Sequence, residues 1–165
     1  MKAFVVEKYG KDGLRAADLP TPSVGRGDVL VRVSAASINP LDKMTRDGEF
    51  KRIIKRKLPF VLGHDLAGVV IEVGDDVRDF KVGDEVYGRP RDLRAGTFAE
   101  LISVDEHDIA LKPESLTLPE SAAVPLVALA AWQILVDRAD VQPGQKVLVH
   151  AGAGGLGSTV IQLAK

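Results

Sequence analysis

Three glycines near the end of the chain have the spacing of a loop that binds phosphate groups. Gly152, Gly154 and Gly157 form a Gly-x-Gly-x-x-Gly pattern directly after a valine-rich segment. Glycine lets the backbone turn sharply and approach a pyrophosphate, whose charge is attracted by the N–H groups at the start of the following helix. The N–H groups of Gly154, Gly155 and Leu156 are expected to face the pyrophosphate. The pattern predicts a dinucleotide-binding loop.

Such a loop needs a strand before it and a helix after it. Lys146–His150 is predicted as that strand, and the residues from Ser158 onward read as the helix. A dinucleotide-binding fold requires further βαβ units and a ribose-reading residue about 20 positions on, whereas the sequence stops at Lys165. We therefore expect the front part of a larger enzyme, whose isolated strand leaves unpaired edges. This chain alone is expected to self-associate, or to be mobile after about residue 140.

The preceding residues read as short strands separated by Gly and Pro. β-branched runs bounded by turn residues are typical of strands, and many short strands suggest a small closed or partly closed barrel. The predicted strands are Lys2–Glu7, Val29–Ala36, Ala67–Val73, Glu85–Tyr87, Thr97–Ser103 and Ile109–Lys112.

After Pro113 the pattern becomes helical. Thr117 and Glu120 have the spacing of a capping box, and the alanine-rich stretch that follows is predicted as helix to about Arg138, with Pro125 restarting or kinking it. The organisation is thus a β domain over residues 1–115, then linking helices and the start of a second domain over 116–165.

Composition narrows the classes of function. A net charge of −1 argues against a nucleic-acid partner, which selects basic surfaces. No apolar run is long enough for a membrane span and no signal peptide is evident, so a cytoplasmic protein without a membrane partner is expected. The chain has no cysteine, which excludes disulfides, thiolate metal sites and a cysteine nucleophile from these residues.

Three segments carry a resemblance to a known family. They are Gly63–Val70 with Val73-Gly74, similar to GHE-x-x-G-x-V-x-x-V-G; Phe80–Gly88, similar to F-x-x-G-D-x-V-x-G; and Ala151–Gly157 with Ile161–Lys165, similar to A-x-x-G-G-V-G…Q-x-A-K. Together they resemble the medium-chain dehydrogenase/reductase superfamily, in its zinc-independent quinone oxidoreductase and enone reductase branch.

The resemblance implies a domain arrangement that the hydrophobic periodicity of the sequence alone does not predict. It implies a mostly β fold with an α/β start: a GroES-like catalytic β-barrel, then the first strand and helix of a doubly wound Rossmann domain. It also implies NADPH as cofactor, a small quinone or α,β-unsaturated carbonyl as substrate, and a homodimer for the complete protein. Two alternatives stay open: a non-catalytic GroES-like binding module, and a zinc-independent enoyl reductase module.

The resemblance also bears on metal binding. Alcohol dehydrogenases of the superfamily hold zinc with an early Cys, the His of GHE and a later Cys or Asp. Asn39 falls where that Cys would lie, and an amide is a poor zinc ligand. We expect His64 to form a hydrogen bond within the barrel, and we expect no metal.

Asn39 and Asp42 are the candidate catalytic residues. Without zinc, conjugate reduction needs only hydride delivery and hydrogen-bond support for the developing enolate oxygen. Asn39 could give that support through its amide, or it could orient the nicotinamide ribose. Alternatively, Asn39 is only a turn residue before Pro40. Asp42 either orients a neighbour or is a solvated loop residue. The resemblance also implies a cofactor contact at Ala130, where many relatives carry a threonine near the nicotinamide, but without the hydrogen bond of a hydroxyl group.

Two further features are predicted to be structural. Trp132 is expected to pack in a core rather than to form a substrate platform. Lys51–Lys57 is expected to be a solvated helical face, with Ile53 and Ile54 turned inward.

Overall fold

A computed structural model of the protein describes residues 1–94 and 96–165. These residues form two units, Met1–Ala123 and Val124–Lys165. The first unit contains all eight strands of the described residues. Among the described residues, no helix combines the length and apolar character needed to cross a membrane.

A three-stranded antiparallel sheet begins the first unit. The central strand β1 (Lys2–Val6) lies between β2 (Leu14–Asp18) and β4 (Phe60–Val61). The Phe4 N–H donates to the carbonyl of Phe98 at 2.8 Å, and the Glu100 N–H donates to the carbonyl of Lys2 at 3.0 Å. Strand β1 is therefore hydrogen-bonded to the residues that lead into the second sheet.

The second sheet has five antiparallel strands in the order β7-β3-β5-β6-β8. These strands are β3 (Asp28–Ala35), β5 (Leu66–Val73), β6 (Glu85–Gly88), β7 (Leu101–Asp105) and β8 (Ile109–Leu111). Alternate side chains of its central strands point to one face, since successive residues of a strand face opposite ways. The buried core comprises Val29, Val31, Leu66, Val70, Val77, Val86, Ile102 and Val104.

The strand predictions for residues 1–112 are confirmed in type, with shifted ends. The sequence reading missed β2 and β4. The strand predicted over Lys146–His150 is not formed in this structure, so that prediction is wrong. A strand is defined by hydrogen bonds to a neighbour, and none of the described residues pairs with this segment.

The helices begin and end where capping residues allow. Helix α1 (Pro40–Asp47) ends at Gly48, whose φ of +81° is a left-handed conformation that glycine adopts without a steric cost. Helix α2 (Leu118–Ala122) begins at the predicted capping box of Thr117 and Glu120. Short 3₁₀ turns cover Lys11–Gly13 and Glu106–Asp108.

The second unit is built from helices. Helix α3 (Pro125–Trp132) starts at the proline that was expected to restart the helix, and continues as a π-helix over Gln133–Arg138. Helix α4 (Gly155–Leu163) packs against α3. The buried contact consists of Ala131, Leu135 and Val160.

The helical face predicted for Lys51–Lys57 is wrong. Residues 51–54 form turns, and Ile53 is 81% exposed rather than turned inward. Two cations of this segment lie over aromatic rings: Lys51 Nζ lies 5.9 Å from the ring centre of Tyr9, and the Arg56 guanidinium lies 5.2 Å from that of Phe60.

Asp28, the first residue of β3, joins three parts of the first unit. Its carboxylate accepts hydrogen bonds from Arg94 Nη1 at 2.9 Å and Nη2 at 2.6 Å, and from Ser103 Oγ of β7 at 3.1 Å. The hydrogen bonds from Arg94 lower the pKa of Asp28 below its ordinary value of 3.8. The ionised form of Asp28 therefore stabilises the fold.

Acidification is expected to remove this stabilisation. Since the folded pKa of Asp28 lies below the unfolded value near 3.8, the contribution is complete above the unfolded pKa and is lost as pH falls through the folded pKa. Urea unfolding measured from about pH 6 down to about pH 2 tests this dependence. Asp28→Asn is expected to flatten it, and to lower the free energy of unfolding at neutral pH by about 1.5–3 kcal/mol.

Asp76→Asn is the matched control for Asp28→Asn. Asp76 receives two hydrogen bonds from Arg26, both at 2.8 Å, but this pair lies at the surface. Exposed ion pairs contribute little, so Asp76→Asn should leave the stability nearly unchanged. Equal losses in the two variants would contradict a special role for Asp28.

Candidate functional site

The start of α1 places the two candidate catalytic residues side by side. Asn39 is the residue that caps α1, with an extended backbone (φ −114°, ψ 155°), and Pro40 is the first helical residue. The Asp42 carboxylate turns back and accepts the Asn39 backbone N–H at 2.6 Å. This capping-box arrangement satisfies an N–H group that a helix start leaves without a partner.

Asp42 also contacts His64, which lies just before β5. Asp42 Oδ1 and His64 Nδ1 are 2.7 Å apart, and each side chain is only 2% exposed. The hydrogen bond expected for His64 within the barrel is thus confirmed. Of the two readings of Asp42, the structure supports the one in which it orients neighbouring groups.

Within residues 1–94 and 96–165, no group of three His, Asp or Glu side chains is arranged so that it could hold a metal ion.

The Asn39 side chain is held by two residues that the sequence reading did not select, Ser37 and Asp65. Asn39 Nδ2 donates to Asp65 Oδ2 at 2.8 Å and to Ser37 Oγ at 3.0 Å. Ser37 Oγ in turn donates to Asp65 Oδ2 at 2.7 Å. Asp65 is fully buried and Asn39 is 9% exposed. Asn39 therefore has a specific buried environment, which a simple turn residue does not require.

This arrangement changes which atom of Asn39 is available to a ligand. A carboxamide has two N–H donors and an oxygen acceptor. Both donors have acceptors within the chain, and Oδ1 takes part in the α1 capping box, where it faces the backbone N–H of Asp42, so the remaining capacity of Asn39 is the second lone pair of Oδ1. Support of an enolate oxygen by the amide would require one of these hydrogen bonds to break. Accepting a hydrogen bond from a hydroxyl group would not.

The glycine-rich loop leads directly into α4. Gly154 caps this helix, and its first three residues are Gly155, Leu156 and Gly157. N–H groups at these positions have no carbonyl four residues earlier within the helix, and they lie at its positive end. Of the three N–H groups predicted to face a pyrophosphate, those of Gly155 and Leu156 lie at this helix start, whereas the Gly154 N–H already donates to the carbonyl of Ala151 at 2.9 Å.

Close packing explains two of these glycines. A Cβ atom at Gly157 would lie 2.2 Å from the carbonyl oxygen of Ala151 and 2.9 Å from Cα of Gly152. A Cβ atom at Gly152 would lie 2.9 Å from Cδ1 of Ile161. Any side chain at Gly157 would push α4 away from the loop, since backbone atoms cannot move aside independently. The spacing of the motif therefore reflects helix–loop packing as well as access for a ligand.

The remaining candidates lie on α3. Ala130 is half-buried and offers only a methyl group, so its predicted cofactor contact gains no hydrogen bond. Trp132 is 53% exposed, so the prediction that it packs in a core is wrong for this chain. The buried face of this helix is formed by Ala131, which lies with Leu135 against Val160.

Comparison with known proteins agrees with this fold. Residues 25–114 match the alcohol dehydrogenase GroES-like domain. The chloroplastic NADPH-dependent alkenal/one oxidoreductase of Arabidopsis thaliana is 41% identical over 173 residues, which cover 100% of this chain and 44% of that protein.

Solved structures agree as well. An alcohol dehydrogenase superfamily protein from Novosphingobium aromaticivorans superposes with a TM-score of 0.92 at 42% identity, covering 99% of this chain and 50% of that one. For the quinone oxidoreductase from Coxiella burnetii the TM-score is 0.84 at 36% identity, covering 99% of this chain and 53% of that one. The chain spans about half the length of these relatives. It belongs to the medium-chain dehydrogenase/reductase superfamily and corresponds to the N-terminal part of such proteins, with their GroES-like domain.

Proposed function

We propose that the protein carrying this chain is an NADPH-dependent oxidoreductase that reduces quinones or α,β-unsaturated carbonyl compounds without a metal ion. The observation that carries the proposal is the glycine-rich loop at the start of α4, with its N–H groups and its closely packed Gly157. The names of the Arabidopsis and Coxiella relatives support the two substrate classes.

The loop fits the diphosphate of a nicotinamide dinucleotide. Gly155 and Leu156 are the first two residues of α4, and a helix N-terminus stabilises negative charge by about 0.3–1 kcal/mol. When bound, the reduced nicotinamide supplies hydride to the β-carbon of an enone or to a quinone ring. The chain itself binds the diphosphate and holds Asn39 in a fixed orientation.

The hydrogen-bond donors near Asn39 are already used within the chain. This arrangement suits a reaction in which the protein does not have to donate a hydrogen bond or a proton to the substrate oxygen. The Asn39 amide donors are engaged, and so is His64 Nδ1. Conjugate reduction can be completed by a proton from solvent, whereas alcohol oxidation in zinc enzymes relies on a Lewis acid. We therefore assign Asn39 to orienting the cofactor ribose through Oδ1, and Asp42 to holding Asn39 in place.

The test is a reductase assay on the complete protein, after treatment with a metal chelator. Oxidation of NADPH is followed optically with 1,4-benzoquinone, with a simple enone and without substrate. We expect substrate-dependent oxidation that survives the chelator, and a loss of about tenfold or more in kcat/KM for Asn39→Ala, the size expected for one well-oriented hydrogen bond.

Gln142→Ala is the control for the asparagine variant. It also removes a side-chain amide, but an exposed one whose hydrogen bonds run to Asp140. Its kcat/KM should stay within about twofold of the parent protein, as for surface substitutions in general. A complete protein that neither binds nor oxidises NADPH would overturn the proposal and favour a non-catalytic binding module.

A further inference from the structure

The Asn39 carboxamide is held at its nitrogen end by a closed triangle of hydrogen bonds. We infer that Asp65 and Ser37 are positioning residues, which lock this amide so that Asn39 meets a ligand as a hydrogen-bond acceptor. For the cofactor-orienting role of Asn39 this inference rests on the proposed function. The locked orientation itself does not.

The chemistry of the triangle allows one orientation of the amide. The NH2 of Asn39 donates to Asp65 Oδ2 at 2.8 Å, which is the orientation that an ionised carboxylate requires because it only accepts hydrogen bonds. The Ser37 hydroxyl donates its hydrogen to the same carboxylate oxygen, and its oxygen therefore accepts the second N–H of Asn39. Rotating the amide by half a turn would bring two acceptors together at Asp65. It would also remove the N–H donor whose hydrogen bond Ser37 Oγ accepts.

Burial increases the cost of that rotation. Asp65 is 0% exposed and Asn39 is 9% exposed, so bulk water cannot replace a lost partner. An unsatisfied buried polar group is costly, and more so when it is charged.

The backbone geometry supports the triangle from both sides. Asn39 has an extended backbone, in which alternate side chains share a face. Ser37 and Asn39 meet directly, since Ser37 Oγ lies 3.0 Å from Asn39 Nδ2, while Ile38 between them is 84% exposed. On the opposite side, the adjacent residues His64 and Asp65 engage Asp42 and Asn39 respectively.

The locked orientation can be measured without any activity assay. Asn39 is the only asparagine in the chain, so isotopic labelling of asparagine amide nitrogen gives a single side-chain NH2 group in an NMR spectrum. In the 165-residue chain we expect both hydrogens to exchange with water at least about tenfold more slowly than in a free asparagine, because each is held in a hydrogen bond.

Two serine variants form the decisive pair. Ser37→Ala removes one acceptor and should raise the exchange rate of one amide hydrogen by about tenfold. Ser37→Thr keeps the hydroxyl group and should restore slow exchange. Because Ser37 is only half-buried, both chains should fold, as a cooperative urea transition would show. Equal exchange rates in the parent, Ala and Thr chains would overturn the inference.

A pair of buried carboxylates supplies the second comparison. Asp65→Ala and Asp28→Ala each remove a buried acid that accepts a serine hydroxyl, from Ser37 and Ser103 respectively. Only Asp65→Ala should release the Asn39 amide. If both variants release it, general loosening of the fold is the cause and the inference fails.

Kinetics of the complete protein separate this inference from the proposed function. If Asn39 orients the cofactor, Ser37→Ala should raise KM for NADPH by about tenfold with a smaller change in kcat, and Ser37→Thr should reverse this. Slow amide exchange in a protein without reductase activity would refute the proposed function but not the locked orientation. Reductase activity with a rapidly exchanging amide would refute the locked orientation alone.

Discussion

Replacing Gly157 with alanine is expected to abolish nicotinamide binding in the complete protein. The new Cβ would lie 2.2 Å from the Ala151 carbonyl oxygen and 2.8 Å from the Ala151 carbonyl carbon, so the start of α4 must move away from the loop. Displacing two N–H donors from a diphosphate costs about 1.5–3 kcal/mol for each charge-assisted hydrogen bond, which corresponds to a loss in affinity of about a hundredfold or more. Titration of NADPH followed by its fluorescence measures the effect.

Two other glycine variants separate packing from ligand access. Gly155→Ala would place its Cβ 3.5 Å from Cγ1 of Val127, an ordinary contact, so α4 should keep its position. Weaker NADPH binding in that variant would report a clash with the ligand rather than with the protein. Gly27→Ala meets no atom within 4 Å and serves as the neutral control. Unchanged affinity in Gly157→Ala would show that the loop does not bind the diphosphate.

Removing the Asp42 carboxylate is expected to destabilise the first unit strongly. Asp42→Ala leaves buried His64 without its partner at 2.7 Å and the Asn39 N–H without its acceptor at 2.6 Å. Leaving a buried polar group without its partner costs about 1–3 kcal/mol, so the loss of two such partners is a large part of the total stability of about 5–15 kcal/mol typical of a domain. Urea unfolding followed by far-ultraviolet circular dichroism measures the loss.

The neighbouring residue provides the control for Asp42→Ala. Lys43 is exposed and forms an ion pair with Asp47 one turn later, at 3.2 Å. Lys43→Ala should change stability by less than about 0.5 kcal/mol, as expected for a surface pair. Asp42→Asn retains one oxygen acceptor and should fall between the two. If Asp42→Ala is no more harmful than Lys43→Ala, the buried pair does not stabilise the fold.

Local sequence patterns predicted the elements whose side chains alternate or whose ends carry capping residues. The valine-rich strands β3 and β5 and the Thr117–Glu120 capping box are of this kind. β2 was missed because its Leu-Arg-Ala-Ala-Asp sequence has no β-branched residue. Lys146–His150 has a strand-like composition, but a strand also depends on a partner, and no described residue supplies one.

The candidate site was predictable only in part, for a similar reason. Asn39 and Asp42 are three residues apart with Pro40 between them, which is a local signal for a helix start, and their spacing could have identified the capping box. Ser37 and Asp65 are brought together by the packing of distant segments. No periodicity in one sequence reveals that Asp65 is buried against an amide 26 residues away.

The exposed indole of Trp132 gives the two units separate optical reporters. It is the only tryptophan of the chain, and it lies in the second unit. The two tyrosines, Tyr9 and Tyr87, both lie in the first unit. Tryptophan emission therefore follows the helices around the glycine-rich loop, while tyrosine emission follows the sheets that hold Asn39. Recording both during one urea titration distinguishes a single cooperative transition from independent melting of the two units.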